Sequence, residues 1–358
     1  MKKLDYEVGN SVEKLFRGLP RTTIERLGRT VPKLSRSYGL TYTDEAGKTA
    51  AITLTLRPRL VPAGIRDGLW RTIRHLDAAF QKIASLYFQE PGISELFPFS
   101  PREREWLRIL QEPGYRPGRL ATRWDANTTF GAQDLKEGFS FFEVNGVGVG
   151  GLWYGPASAD VTLKTVIPEL KKLDPRFRIG PLDDMRRLLL GLLLAQRKKL
   201  GRTRGVIALA MEKASGSNFI EFECLAQLYR KLGYPSIVVE PTDFSLKGDE
   251  LFARGKRVDI LYRDTTLSEL CHFEEKGHDL RALREAFRRG QVISSLEGEF
   301  DHKSAFELFT HPRWASLFSS KERKLFKQHI LWTRLLRETK TPGPKGRTVD
   351  LITFVMKH

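Results

Sequence analysis

The sequence has little of what would tie it to an oxidising compartment, a bilayer or a thiolate metal centre. Only two of its 358 residues are cysteine, Cys224 and Cys271. They are too far apart to form a Cys-x-x-Cys pair, so reduced thiols in a cytoplasmic protein are the expectation. Long hydrophobic runs are missing: the longest, LLLGLLLA from Leu188 to Ala195, is far too short to span a membrane. The opening MKKLDYEVGNSVEKLF is charged and has no apolar core segment, so no secretory signal is expected. There is no internal repeat and no low-complexity tract. Acid is in short supply, with 43 Asp and Glu against 60 Lys and Arg and a formal charge of +17.

What is present is ordinary for a folded chain of two or three domains: 41% hydrophobic and 10% aromatic residues. The basic excess favours anionic partners such as nucleotide phosphates or a polyanion. It is uneven. Arg186 to Arg204 holds seven basic residues and no acid, and Lys321 to Arg347 holds nine against two. Solvated helix faces would explain both runs equally.

Along the chain, residues 1–38 read as basic helix, with Leu4, Val8, Val12, Leu15 and Phe16 at near-helical spacing. YGLTYTDEAGKTAAITLTLRPRLVP reads as two strands around a Glu-Ala-Gly-Lys turn. Ile65 to Phe88 carries one apolar stripe, Leu69, Ile73, Leu76, Phe80, Ile83 and Leu86. LATRWDAN and FSFFEVN form strands around a turn at Asp134 to Gly138, and a basic helical region then runs to about Arg204. From Gly205 the strand GVIALAM, the helix NFIEFECLAQLYRKLG, and the strands PSIVVEP and GKRVDILYRD make a small parallel α/β unit. Helices rich in Lys and Arg are expected to reach Glu338, with a linker or loop at TKTPGPKG. The last residues, VDLITFVMKH, begin a new element and stop, which suggests truncation.

Strand alternation places Arg123 with Asp125, and Glu143 with Asn145, each pair on one face. If the strands pair, one surface carries two carboxylates, an amide oxygen and a guanidinium, flanked by Trp124, Phe141 and Phe142. Hard oxygen donors of this kind suit Mg²⁺ when nucleotide phosphates complete its coordination, and an arginine beside them can hold an anionic group bidentately. A solvated hairpin face with an Arg123–Glu143 salt bridge is the alternative. The glycine run GVGVGG lacks a dinucleotide fingerprint's context, since Gly150-Gly151 leads into LWYGPAS with no helix start. In CHFEEKGHD, His272 and His278 lie near Glu274 and Glu275, as a metal cluster or as a helix start. Glu221 and Glu223 line a ligand edge or serve a helix dipole. Trp314 and Trp332 read as packing anchors.

Arg-x-Asp followed by Glu-x-Asn resembles the metal-binding motif of the circularly permuted ATP-grasp proteins, the branch that includes glutathionylspermidine synthase. The order agrees with that branch: RWD, FFEVNG, the strand–helix–strand unit, then FDHKSAFELFTHPRWASLFSSKERKLF and HILWTRLLRE, over roughly residues 50–358. The resemblance implies an α/β fold. Residues 1–200 would form the metal-binding part, 201–295 a Rossmann-like pre-ATP-grasp domain, and 296–358 a helical lysine-bearing segment leading to a nucleotide lid. It further implies Mg²⁺ held by Asp125, Glu143 and Asn145, ATP contacted by Lys303, and Arg123 as the catalytic cation on the transferred phosphoryl group. The implied reaction is ligation of a carboxylate to an amine through an acyl phosphate. The family's second nucleotide lysine and glycine-rich lid lie beyond the position of His358, so a fragment or degenerate member with little ligase activity is expected. The rival expectation is a basic nucleic-acid-binding or scaffold protein without catalysis, although recognition signatures for nucleic acid are absent.

Overall fold

The computed structural model describes residues 4–43, 48–61, 63–128, 139–180, 182–213 and 219–357. Two basic helices, α1 (Leu4–Arg17) and α2 (Arg21–Ser37), lead to a short antiparallel pair, β1 (Thr41–Thr43) and β2 (Thr49–Ala51). The expected turns over residues 45–47 and 134–138 lie outside the described residues. The apolar stripe from Ile65 forms two helices, α3 (Ala63–Phe80) and α4 (Ile83–Gln89). They part where the Lys82 amide bonds Ala79 O, an i to i−3 tightening of the turn. A capping box starts α5 (Pro101–Leu107): Ser100 accepts from Glu103 N, and the Glu103 carboxylate accepts from Ser100 N.

β3 (Arg123–Thr128) and β4 (Phe139–Asn145) pair antiparallel. The basic helical region that follows consists of two helices, α6 (Tyr154–Leu173) and α7 (Met185–Lys199). Next comes the α/β unit: β5 (Val206–Ala210), α8 (Phe219–Lys231), β6 (Ser236–Val239), β7 (Phe244–Lys247), β8 (Glu250–Ala253) and β9 (Lys256–Arg263). After α9 (Leu267–Glu275) and α10 (Arg281–Arg288) a short strand β10 (Val292–Ile293) joins the same sheet. β6, β5, β9 and β10 run parallel, as the buried β-branched runs predict, while β7 and β8 add an antiparallel meander on β9. Both sheet faces are covered. Ile207 and Leu209 pack with Leu193, Phe222 and Tyr229, and Ala208 and Ala210 join the larger core on the other side.

That larger core draws on residues from Leu76 to Ile330. At its centre Tyr87, Phe97, Phe99 and Phe300 meet at ring-centroid distances of 5.2–6.0 Å. The final segment holds α11 (Ala305–Thr310), α12 (Ser320–His329), the hairpin β11 (Lys340–Pro342) and β12 (Thr348–Asp350), and α13 (Leu351–Lys357). Helix α12 stops at His329, well short of Glu338. There Ile330 bridges Phe141 and the Leu331 amide bonds Phe141 O, so an extended partner replaces the next helical turn. No helix among the described residues is long and apolar enough to cross a membrane.

Candidate nucleotide and metal site

The register of β3 on β4 sets the site. Arg123 lies opposite Asn145, Trp124 opposite Val144 and Asp125 opposite Glu143. Directly opposed residues project to the same side with Cβ atoms about 4.5–5.5 Å apart, so Arg123, Asp125, Glu143 and Asn145 share one face. A register shift between Asp125 and Ala126 leaves Phe142 without a partner, 40% exposed. Trp124 and Phe141, expected to flank the acidic face, instead point to the core: their rings lie 5.7 Å apart, and Trp124 also meets Phe80 and Phe306. The aromatic side fixes the hairpin, and the other side carries the polar groups.

On that polar side the ion pairs differ from the Arg123–Glu143 bridge of the alternative, solvated-hairpin reading. Arg123 grips both oxygens of its strand-mate, Nε to Oδ1 of Asp125 at 2.9 Å and Nη2 to Oδ2 at 3.3 Å. Its Nη1 donates to Gly150 O at 3.0 Å. The Asp125 hydrogen bond pushes the guanidinium's pKa up, with the Glu143 charge adding to it. Glu143 instead meets Lys303, Nζ to Oε2 at 3.2 Å. Lys303 stands on the turn before α11, brought there by Asp301, whose carboxylate accepts from Gly146 N at 2.7 Å and Val147 N at 3.2 Å. Burial pushes the Asp301 carboxyl's pKa up, and those two amides offset the shift. Asn145 has a buried amide nitrogen with no hydrogen-bond partner. That nitrogen is a donor, so its spare capacity suits an acceptor such as a phosphate oxygen, while a hard cation would take the amide's oxygen.

The glycine run is a joint between elements. A Cβ on Gly146 would stand 2.6 Å from Gly298 O, so only glycine lets the two backbones touch. Gly151 has φ +88° and leads, contrary to the sequence expectation, straight into helix α6. The amides of Gly151, Trp153 and Tyr154 at that helix start are taken by the buried Glu221 carboxylate at 3.2, 2.5 and 3.3 Å. Glu221 therefore caps a helix and does not line a ligand edge, although burial raises its carboxyl's pKa. β4 is an antiparallel hairpin strand, so the glycines do not form a dinucleotide fingerprint either.

The other candidates resolve into packing. His272 to Glu275 close helix α9 and do not start one. Glu274 accepts from Trp106 Nε1 at 3.0 Å and pairs bidentately with Arg284, whose guanidinium lies 3.8 Å from the Trp106 ring centroid. Among the described residues no group of three or more His, Cys, Asp or Glu could hold a metal ion. The β3–β4 set, with two carboxylates and an amide, suits only a hard cation that takes its remaining oxygens from elsewhere. Trp314 is buried, and Trp332 bonds Pro342 O. In the acid-free run, Arg186, Arg187, Arg197 and Arg202 are engaged with Asp160, Asp184, Asp259 and Glu250. Cys224 and Cys271 are free thiols.

The architecture is an α/β fold with a mixed, largely parallel sheet and a separate hairpin bearing two acids and an arginine on one face. No family model matches the chain, and no curated protein matches it in sequence. Among solved structures it is similar to a glutathione synthetase-like effector (GSS30) from Globodera pallida in its apo form, with a TM-score of 0.64. The match covers 87% of this chain and 70% of that one at 13% identity. The chain thus has a glutathione synthetase-like fold.

Proposed function

We propose that this chain binds a magnesium–ATP complex on the outer face of β3–β4 and is an ATP-grasp-type carboxylate–amine ligase or a weakly active member of that class, in the circularly permuted arrangement. The observation that carries this reading is the strand register, which sets Arg123, Asp125, Glu143 and Asn145 on one face with Lys303 against Glu143. Residues 1–200 would supply the metal-binding part, 201–295 the Rossmann-like domain, and 296–358 the segment bearing Lys303.

On this reading Asp125, Glu143 and Asn145 hold Mg²⁺, which when bound neutralises phosphate charge. Arg123 steadies the phosphoryl group in transfer, because charge develops on its equatorial oxygens in the transition state. Lys303 holds the nucleotide phosphates as a point charge. A substrate carboxylate attacks the γ-phosphorus and ADP leaves; an amine then attacks the acyl carbon and displaces phosphate. Positioning and charge neutralisation suffice for the first step, so the absence of a nucleophilic side chain from the proposed set is consistent with it.

Calorimetric titration of the full chain with ATP, with and without Mg²⁺, tests the reading. Wild type should bind in a magnesium-dependent manner, and Glu143→Gln should lose roughly tenfold or more, about 1.4 kcal/mol upward. The proposal fails if nucleotide binding is absent or indifferent to magnesium. Steeply salt-dependent binding of nucleic acid that Asp125→Ala leaves intact would point to the non-catalytic alternative.

A further inference from the structure

Each carboxylate of the proposed metal set is already held by a cation of the same chain. Arg123 holds Asp125 through both oxygens, and Lys303 reaches Glu143 at 3.2 Å. A divalent ion taking those oxygens would meet two positive charges at contact range, where like charges repel even in water. Its binding is favoured as the cations turn away. A cation so displaced stands beside a metal ion with no counter-charge, unless an anion arrives with the metal. A polyphosphate is such an anion.

The two cations are not equally free to move. Arg123 is fastened by a third bond, to Gly150 O at 3.0 Å. Among the described residues Lys303 has no second carboxylate partner, and its side chain is 68% exposed while Glu143 is only 27% exposed. Its backbone stays beside the strand end, because Asp301, two residues earlier, is tied to Gly146 and Val147. The ammonium can therefore swing out from a fixed base.

We propose, resting on the magnesium–nucleotide reading above, that Lys303 is a specificity-determining counter-cation. It occupies Glu143 in the empty site, so that the site takes metal and polyphosphate together and discriminates against the metal alone. Metal entry releases the ammonium, and the released ammonium binds phosphate. The same residue thus opposes one ligand and favours the other.

The test uses the full chain and Mn²⁺ as the probe, with free ion counted by electron paramagnetic resonance and Mn·ATP binding measured by calorimetry. Lys303→Met and Lys303→Gln should bind Mn²⁺ alone more tightly, by roughly two- to fivefold for loss of a half-exposed pair, and bind Mn·ATP more weakly. Lys303→Arg, which keeps the charge, should retain wild-type affinity for Mn²⁺ alone. A merely structural lysine would weaken both ligands, and a pure phosphate contact would leave Mn²⁺ alone unchanged; either result overturns the inference. If Met disturbs folding, seen as a lowered melting temperature, the Gln variant decides. Wild-type binding of Mn·ATP with no gain for Mn²⁺ alone in the variants removes this inference and spares the parent reading. No Mn·ATP binding by wild type removes both.

Discussion

Replacing Gly146 by alanine sets two known effects of opposite sign against each other. Neither Gly146 nor Gly298 has a positive φ, so alanine meets no backbone penalty at either place. By restricting the unfolded chain, Gly→Ala would then stabilise by about 0.4–1 kcal/mol. The new Cβ, however, would lie 2.6 Å from Gly298 O and 2.8 Å from Gly298 Cα, where ordinary contact begins at 3.4 Å. Both obstacles are backbone, so the two segments must part by several tenths of an ångström. Overpacking of this kind costs about 1–3 kcal/mol, and the net expectation is about 1–2 kcal/mol of destabilisation, a melting temperature lower by roughly 1–4 °C for a chain of this length. The reciprocal Gly298→Ala, 2.7 Å from Gly146 O, should cost a similar amount. The double variant should cost less than the sum, since one separation relieves both clashes. Gly28→Ala, inside α2 with nothing within 4 Å, is the control and should stabilise by about 0.8–1 kcal/mol. Thermal unfolding followed by circular dichroism reads all four proteins. A Gly146→Ala protein that melts at or above wild type would refute the close joint between β4 and the turn after β10.

Two further expectations concern buried charge. Arg263 is 1% exposed and bonds Glu299 together with the carbonyls of Ser294, Thr265 and Ser295; Glu299→Gln should destabilise by about 3–5 kcal/mol by leaving that guanidinium without its counter-charge, read as a lower urea midpoint. Burial first, then Arg334, Arg337 and Arg313, holds the His311 imidazole at about 4 in place of 6.5. Since the folded value is the lower one, the unfolded chain binds more protons in that window, and stability falls as pH drops from 6.5 toward about 4 and then levels off. With the solvent screening of a partly exposed group the loss is roughly 1 kcal/mol, and His311→Asn should lessen the fall of the urea midpoint between pH 7 and pH 5, the remainder coming from His302 and His329, whose pKa burial also lowers.

How far the sequence reveals this structure depends on whether the deciding contacts are local. The parallel strands were legible, because GVIALAM, PSIVVEP and the ILY centre of GKRVDILYRD are apolar runs of the kind a sheet covered on both faces carries. Local signals also existed for the starts of α5, α9 and α12, as Ser100-x-x-Glu103, Thr266-x-x-Glu269 and Ser319-x-x-Glu322 form capping boxes. The start of α6 carried no such signal. Its cap is a carboxylate from Glu221, 68 residues from Trp153, so nothing near Gly151 announces a helix. The early end of α12 is set by Phe141, still more remote in sequence. Lys303 stood out only through a family resemblance, since its neighbour Glu143 comes from another part of the chain.

The acidic face itself depends on a detail that alternation alone gets wrong. In FSFFEVN, strict period-two order would put Phe139, Phe141, Glu143 and Asn145 on one side. Two aromatics and two metal-type ligands would then compete for one environment, and either the acids would be buried among rings or the rings exposed to water. The unpaired Phe142 shifts the phase by one residue, so Phe139, Phe141 and Val144 are buried while Glu143 and Asn145 turn to the opposite face beside Asp125. One extra residue thus lets a strand anchored in an aromatic core present two oxygen-bearing side chains outward. The bulge falls at the position that separates the part of β4 serving stability from the part proposed to serve function.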